Sequence, residues 1–284
     1  MYNNLFKSLS QEEEGDFMKN KKLTILGGGN IGMSIAQGFF KSGSINKSNI
    51  TITRIQSQSL EDIKEMGLIG SHDNIEAIKN ADYVLLAVQP RQAIKLLKEI
   101  KDELKPKKHT ILSVVSALSF DEIEKVIGED YNIVRIMPNT AIAICESMTC
   151  LCPNNKTDKN FLELKEMFDK MGSVLVIDER LMASATVLAS CGTAFFLRFI
   201  RAASQGGIQV GFHAEEAQLI ASQVAKGAAA LLLTNGLHPE QEIDKVTTPM
   251  GLTIKGLNEM EHNGLSSSII KGIVHSFNEM EKIK

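Results

Sequence analysis

The chain has 284 residues, enough for two domains that each bury a hydrophobic core. Its 31 basic and 34 acidic residues give a formal net charge of −3, which excludes the strongly basic field typical of nucleic-acid-binding proteins. The four cysteines form no CxxC pair and have no histidine cluster beside them, so we expect reduced thiols, a cytoplasmic protein and no metal site.

Two segments bear on targeting and on membranes. Residues 1–20 contain no uninterrupted apolar segment, so we expect a polar N-terminal tail rather than a signal peptide. Residues 181–200 are nearly long and apolar enough to cross a bilayer, but they carry Arg198 and many small or polar residues. We therefore predict a buried helix of a soluble core there and no membrane partner, with a membrane span as the alternative.

Strands and helices alternate from residue 23 to about residue 137. The predicted strands are 23–26, 49–53, 81–88, 109–115 and 131–137, and the predicted helices are 30–40, 60–66, 91–100 and 120–127. The strand "ADYVLLAV" is almost continuously apolar, as in a parallel sheet that is covered on both faces. The pattern predicts an α/β fold with a Rossmann-like, doubly wound and mostly parallel sheet.

The second half of the chain changes character. After one more helix at 158–170 and a strand at 173–177, only helical stretches follow, at 179–206, 213–235, 250–262 and 266–282. These stretches are rich in alanine and glycine, which favours close packing of helices, including helices of two subunits. We predict a tail at 1–20, a dinucleotide-binding domain at 21–178 and an all-helical dimerisation and substrate domain at 179–284.

A glycine-rich turn joins the first predicted strand to the first helix. It reads Gly27-Gly28-Gly29-Asn30-Ile31-Gly32 and has the GxGxxG spacing of a dinucleotide site. The first glycine permits the tight turn, Gly29 lets a pyrophosphate approach the backbone, and Gly32 lets the helix pack against the strand. We predict that all six residues bind a cofactor whose phosphates lie at the helix N-terminus.

The end of the second strand predicts which cofactor binds. An acidic residue is expected here in a protein that binds NAD, but the chain has Thr53 followed by Arg54. An arginine can pair with a 2′-phosphate through two parallel N–H groups, so we predict that both residues contact the cofactor. NADPH is favoured and NADH remains possible; the alternative is a solvated surface arginine.

Two further segments lie where an open α/β sheet binds its ligands. Residues Ala87, Val88, Gln89 and Pro90 end the third predicted strand at its carboxyl edge, and Asn74 precedes that strand. We predict that these five residues also contact the cofactor, with ordinary turn chemistry as the alternative.

Several motifs together resemble the pyrroline-5-carboxylate reductase family. They are the turn "GGGNIG", "AVQP" at 87–90, "RIMPNT" at 135–140, "QGGIQVG" at 205–211 and "VTTPMGLTIKGL" at 246–257. The last resembles the family's C-terminal signature, a serine- or threonine-proline-glycine-glycine segment with a threonine shortly after. The resemblance spans almost the whole chain from residue 22.

The resemblance implies an enzyme that reduces 1-pyrroline-5-carboxylate to L-proline, the last step of proline biosynthesis, and that is a homodimer or a higher homo-oligomer. It places the substrate carboxylate on the backbone around Gly251, Leu252 and Thr253, with Thr248 beside it, and makes Thr253 the catalytic residue that hydrogen-bonds the ring nitrogen. We expect Thr248 to cap the following helix and Pro249 to be its first residue, so that free N–H groups face the anion.

The chain departs from the family pattern at several positions. Met250 stands where the first glycine of the signature is usual, and residues 188–196 lack the family's glycine-serine-glycine-proline run. These departures leave two alternatives open, a divergent imine reductase and a non-catalytic dinucleotide-binding regulator. A β-hydroxyacid dehydrogenase on the same scaffold ranks well below the reductase, because residues 183–205 contain neither of the lysine and asparagine that it would need.

Overall fold

The protein, described by a computed structural model over residues 20–282, has an α/β sheet followed by helices, which confirms the predicted fold class. The strands are Leu23–Leu26 (β1), Ile50–Thr53 (β2), Ile69–Ser71 (β3), Tyr83–Leu86 (β4), Thr110–Ser113 (β5), Asn132–Met137 (β6), Ser147–Pro153 (β7) and Gly172–Val176 (β8). The polar tail expected at 1–20 lies outside the described residues, except for Asn20.

The helices fall into two groups, one interleaved with the strands and one after them. The first group is Asn30–Lys41 (α1), Glu61–Glu65 (α2), Asn74–Ile78 (α3), Pro90–Ile100 (α4), Phe120–Ile127 (α5) and Lys159–Asp169 (α6). The second group is Met182–Ala185 (α7), Gly192–Gln209 (α8), Ala214–Asn235 (α9), Pro239–Lys245 (α10), Leu252–His262 (α11) and Leu265–Glu281 (α12). A π-helical segment, Thr186–Cys191, separates α7 from α8.

The eight strands form one sheet in the order β3-β2-β1-β4-β5-β6-β7-β8. All pairs are parallel except β6 with β7, which run antiparallel. β1 lies between β2 and β4, with Leu23 opposite both Ile50 and Tyr83. The chain moves outward from β1 in one direction and then in the other, so the loops after β1 and β4 diverge and leave a crevice at their carboxyl ends.

Alternate residues of the central strands pack against opposite faces of the sheet. In β4, Tyr83 and Leu85 join the core under α1 and α6, whereas Val84 and Leu86 join the core under α4 and α5. All four residues of β1, β4 and β5 are buried, as expected for parallel strands covered on both sides. This rigid centre fixes the positions of the loops at the carboxyl edge.

The chain divides into two compact units. One runs up to Ser190 and includes the residues from Met280, and the other is Cys191–Glu279. Within the second unit α8 and α9 pack together, and a side chain at Gly207 of α8 would meet Ala217 of α9. The predicted division at residues 178/179 stays a prediction.

The sequence did not predict β3, β7 or α10. β3 is only three residues long, β7 has the composition "SMTCLCP" with few β-branched residues, and α10 is a short helix before the "TTPMGLT" segment. β7 is specified by its pairing with β6 and β8 rather than by local propensity.

The predicted burial of residues 181–200 within the chain is wrong. Glu179–Gln209 and Ala214–Asn235 are long and apolar enough to cross a membrane, yet only 11% and 6% of their apolar windows are buried. Phe196 and Leu197 of α8 are exposed in a single chain, as are Leu219, Val224 and Leu233 of α9. These apolar faces are therefore not covered by the described part of the chain itself.

Candidate functional site

The glycine turn between β1 and α1 has the geometry that close backbone approach requires. Gly27 has φ +118°, and a side chain there would collide with the carbonyl of Ala87. A side chain at Gly32 would collide with the carbonyl of Gly27, whereas one at Gly29 would meet no atom within 4 Å in the part of the chain that the structure describes. Gly27 and Gly32 thus let the protein pack on itself, and Gly29 leaves an open space above the turn.

The turn is held by the neighbouring strands. The backbone N–H groups of Gly27 and Gly28 donate to the carbonyl of Thr53 at 3.3 and 2.9 Å, and that of Ala87 donates to Leu26 at 2.9 Å. Gly29 is the N-cap of α1, and no side chain among the described residues caps this end of the helix. The first-turn N–H groups therefore face the open space, an arrangement suited to a phosphate group.

A cavity of about 430 Å³ lies over the turn, between the ends of β1, β2 and β4. Nine of the predicted cofactor residues line it, namely Gly27, Gly28, Gly29, Thr53, Arg54, Asn74, Ala87, Val88 and Gln89. Asn30, Ile31 and Gly32 do not, because they belong to the first turn of α1, and Pro90 does not, because it begins α4. The cofactor roles of all these residues remain predictions.

Seven lining residues were not predicted, namely Leu26, Ile55, Gln56, Gln58, His72, Gln92 and Leu96. Gln92 accepts from the backbone N–H of Gln89 at 3.3 Å and so fixes the loop before α4. His72 follows the unpredicted strand β3, and its Nδ1 lies 3.0 Å from the carbonyl oxygen of Arg54. His72 could have been predicted only by recognising the strand before it, and three residues are too few for a strand pattern to be recognised in the sequence.

Arg54 is neither solvated nor free. Its side chain is 13% exposed, and Nη1 and Nη2 donate to the two carboxylate oxygens of Asp62 at 2.6 and 2.8 Å. Nε donates to the carbonyl of Gly28 at 2.9 Å, and Nη1 also donates to that of Ser59 at 2.8 Å. The guanidinium therefore ties the glycine turn to the loop after β2 and to α2.

Asp62 carries a negative charge beside this end of the cavity. The hydrogen bonds from Arg54 hold the pKa of the Asp62 carboxyl below its ordinary value, so it is ionised at neutral pH. Arg54 and Asp62 together form a neutral ion pair where the sequence alone indicates a single cation.

The "TTPMGLT" segment forms a tight turn followed by a helix. The N–H of Gly251 donates to the carbonyl of Thr248 at 2.9 Å, and Met250 has φ +61°. A left-handed third residue and this hydrogen bond are features of a type II turn, which favours proline second and glycine third. Met250 therefore occupies the conformation that suits the family's usual glycine.

The predicted cap of the following helix is wrong. α11 begins at Leu252 with Gly251 as its N-cap, so Thr248 is not the cap and Pro249 is not the first helical residue. The physical reason is that Thr248 and Pro249 are the first and second residues of the turn that precedes the helix. Leu252 and Thr253 lie in the first helical turn and are exposed, and within residues 20–282 no side chain caps this end of the helix. Their substrate contacts remain predictions.

Comparisons with known proteins cover both halves of the chain. A family model described as pyrroline-5-carboxylate reductase dimerisation matches residues 179–283. A model described as NADP oxidoreductase, coenzyme F420-dependent, matches residues 22–117. The first match accounts for the exposed apolar helices, since a dimerisation domain buries such faces against another subunit.

Relatives and solved structures point the same way. Pyrroline-5-carboxylate reductase 2 of Dictyostelium discoideum is 46% identical over 283 residues, which cover 94% of each chain. A solved pyrroline-5-carboxylate reductase from Coxiella burnetii has 28% identity and a TM-score of 0.81, covering 93% of this chain and 98% of the other. The Plasmodium falciparum pyrroline carboxylate reductase with NADP bound has a TM-score of 0.84 over the same shares, and at 24% identity it supports the fold.

Proposed function

The chain belongs to the pyrroline-5-carboxylate reductase family, and we propose that it reduces the C=N bond of 1-pyrroline-5-carboxylate to give L-proline. One hydride from NADPH or NADH is added to the imine carbon, and the ring nitrogen retains one proton from solution. A protonated imine is already electrophilic, so the enzyme's task is to position the substrate and to stabilise charge.

One observation carries this proposal, the 46% identity to the Dictyostelium discoideum reductase along 94% of both chains. The 6% of this chain that the match leaves uncovered is too short to reach the glycine turn from the N-terminus or the "TTPMGLT" segment from the C-terminus. Both therefore fall within the matched span, so the likeness includes the two segments to which we assign cofactor and substrate.

The residues around the glycine turn fit a dinucleotide. The open space above Gly29 and the uncapped N-terminus of α1 suit a pyrophosphate, and Ala87 and Val88 also line the cavity. The bound dinucleotide supplies the hydride. Gly27 and Gly32 keep the turn packed, and Arg54 holds it through the carbonyl of Gly28.

The substrate role falls to the start of α11. The uncapped first turn after Gly251 offers N–H groups to a carboxylate, and the hydroxyl of Thr253 supplies the hydrogen bond to the ring nitrogen. The enzyme acts as a homodimer or a higher homo-oligomer, which the dimerisation match supports. Its free cysteines suit the cytoplasm, where thiols stay reduced.

Turnover of purified protein with 1-pyrroline-5-carboxylate and each reduced nucleotide tests the proposal, with proline identified as the product. Thr253→Ala should lower kcat/KM by about tenfold or more, because a hydrogen bond to a charged group contributes about 1.5–3 kcal/mol. The dissociation constant for NADPH should stay unchanged.

Thr247→Ala is the matched control, because the Thr247 hydroxyl donates to the carbonyl of Ile243 at 2.8 Å and is not assigned to substrate. Full turnover in Thr253→Ala would remove this residue from the mechanism. Nucleotide binding without any turnover would instead favour the regulator, and turnover of other cyclic imines alone would favour the divergent imine reductase.

A further inference from the structure

The cavity over the glycine turn contains an ion pair at the end of β2. Arg54 is the only lysine or arginine among the cavity-lining residues in the described part of the chain. Asp62 reaches it from α2, eight positions along the chain, and binds it through both carboxylate oxygens. The chain thus lacks an acid at position 54 but brings one to the same place from a neighbouring helix.

A count of donors shows how strongly Arg54 is engaged. A guanidinium has five N–H groups, and four of those in Arg54 donate to protein acceptors, namely Asp62 twice, Ser59 and Gly28. The edge of the guanidinium formed by Nη1 and Nη2 is occupied by Asp62. On the edge that contains Nε, the Nε–H group already donates to the carbonyl of Gly28. Neither edge is free for the two-pronged grip by which arginine binds a phosphate.

The charge of Asp62 acts in the same direction. A 2′-phosphate is an anion, and an ionised carboxylate beside its cationic partner both repels it and competes for the same N–H groups. A ribose that carries hydroxyls only meets neither penalty. An ion pair at this place therefore discriminates between the two dinucleotides through Asp62 rather than through Arg54 alone.

We propose that Asp62 is a coenzyme-selectivity residue, which lowers affinity for the 2′-phosphorylated dinucleotide relative to the unphosphorylated one by occupying Arg54. The inference rests on the proposed function, because it takes the cavity over the glycine turn as the dinucleotide site. Asp62 is 53% exposed, so it can be replaced without opening the core. The bonds from Arg54 to Gly28 and Ser59 remain to hold the guanidinium in place.

The test is calorimetric titration of the full-length, substrate-free protein with NADPH and with NADH at one fixed ionic strength. Asp62→Asn should raise the ratio of the NADH to the NADPH dissociation constant by about tenfold, chiefly through tighter NADPH binding. Asp62→Glu retains the charge and should keep the ratio close to that of the wild type. Asp169→Asn is the matched control, because it removes an aspartate from the exposed ion pair with Lys165 on α6.

An unchanged ratio in Asp62→Asn would overturn the inference, and so would weaker NADPH binding, which would mean that Asp62 positions Arg54 for the phosphate. An equal change in Asp169→Asn would overturn it too, since the effect would then be one of overall charge. A wild-type protein that binds neither nucleotide would refute the cofactor site and this inference with it. If the wild-type protein binds both nucleotides and Asp62→Asn leaves the ratio of their dissociation constants unchanged, this inference is refuted and the cofactor site is not.

Discussion

Met250 shows what a single residue does in a turn built for glycine. With φ +61° it lies in the left-handed region, where a side chain costs about 1–2 kcal/mol. It is 89% exposed in the single chain, so no packing within the chain offsets that cost. The departure from the family's glycine therefore leaves the turn formed but strained.

Replacement of Met250 tests this strain. Met250→Gly should have a free energy of unfolding about 1 kcal/mol higher than Met250→Ala, because glycine adopts the left-handed conformation freely and alanine does not. Urea unfolding of both variants at one protein concentration measures the difference. Equal free energies of unfolding would show that the turn relaxes without strain.

Arg54 marks the limit of what a residue's position in the sequence predicts. Its place after β2 predicts contact with the cofactor, and the structure places it in the lining of the cavity over the glycine turn. Its partners were not predictable, because Asp62 meets it only through the course of residues 55–61 between β2 and α2. A motif identifies which residue stands at a site, while the charge of the site depends on neighbours that the motif does not include.

At the scale of elements, the glycine turn separates a packing role from a binding role. Gly32→Ala should destabilise the fold, because the added methyl group would collide with the carbonyl of Gly27. Gly29→Ala should leave stability nearly unchanged, because no atom of the described residues lies within 4 Å of the added methyl group and the backbone at φ −82° accepts any residue. It should weaken dinucleotide binding by about tenfold or more, because the methyl group enters the space kept for the pyrophosphate.

Thermal unfolding and nucleotide titration of the two variants distinguish the roles. Gly29→Ala should bind the dinucleotide more weakly and keep the Tm of the wild type, whereas Gly32→Ala should have a lower Tm. Normal nucleotide affinity in a well-folded Gly29→Ala would mean that the phosphates bind elsewhere.

The sequence predicted the elements in which apolar residues recur at a clear helix or strand spacing, or in which a recognisable motif is present. β1 and α5 match their predicted bounds, and the turn between β1 and α1 was read from its glycines. β7 was missed because its antiparallel pairing with β6 supplies what its composition does not. The cap of α11 was misplaced because Thr248 and Pro249 suit a turn and a helix start equally well, and only the backbone distinguishes them.

At the scale of the whole molecule, we expect the exposed apolar helices of the second unit to pack against another subunit. Val224→Glu on α9, where Val224 is 65% exposed in the single chain, should weaken self-association by about 2 kcal/mol or more, because it places a charge in an apolar contact. Light scattering over a range of protein concentrations should show a smaller mass. Leu162→Glu is the matched control on α6, where the same change at an exposed leucine should leave the mass unaltered. An unchanged mass for Val224→Glu would place the subunit interface on other residues.

The central claim, reduction of a C=N bond by hydride from a nicotinamide dinucleotide, is tested most directly by following the hydride. The full-length protein would be given 1-pyrroline-5-carboxylate and NADPH that carries two deuterium atoms at its hydride-donating carbon. We predict proline with one deuterium at Cδ, the former imine carbon, and none elsewhere, as seen by mass spectrometry and NMR. Proline without deuterium, or bound nucleotide without proline, would contradict the account.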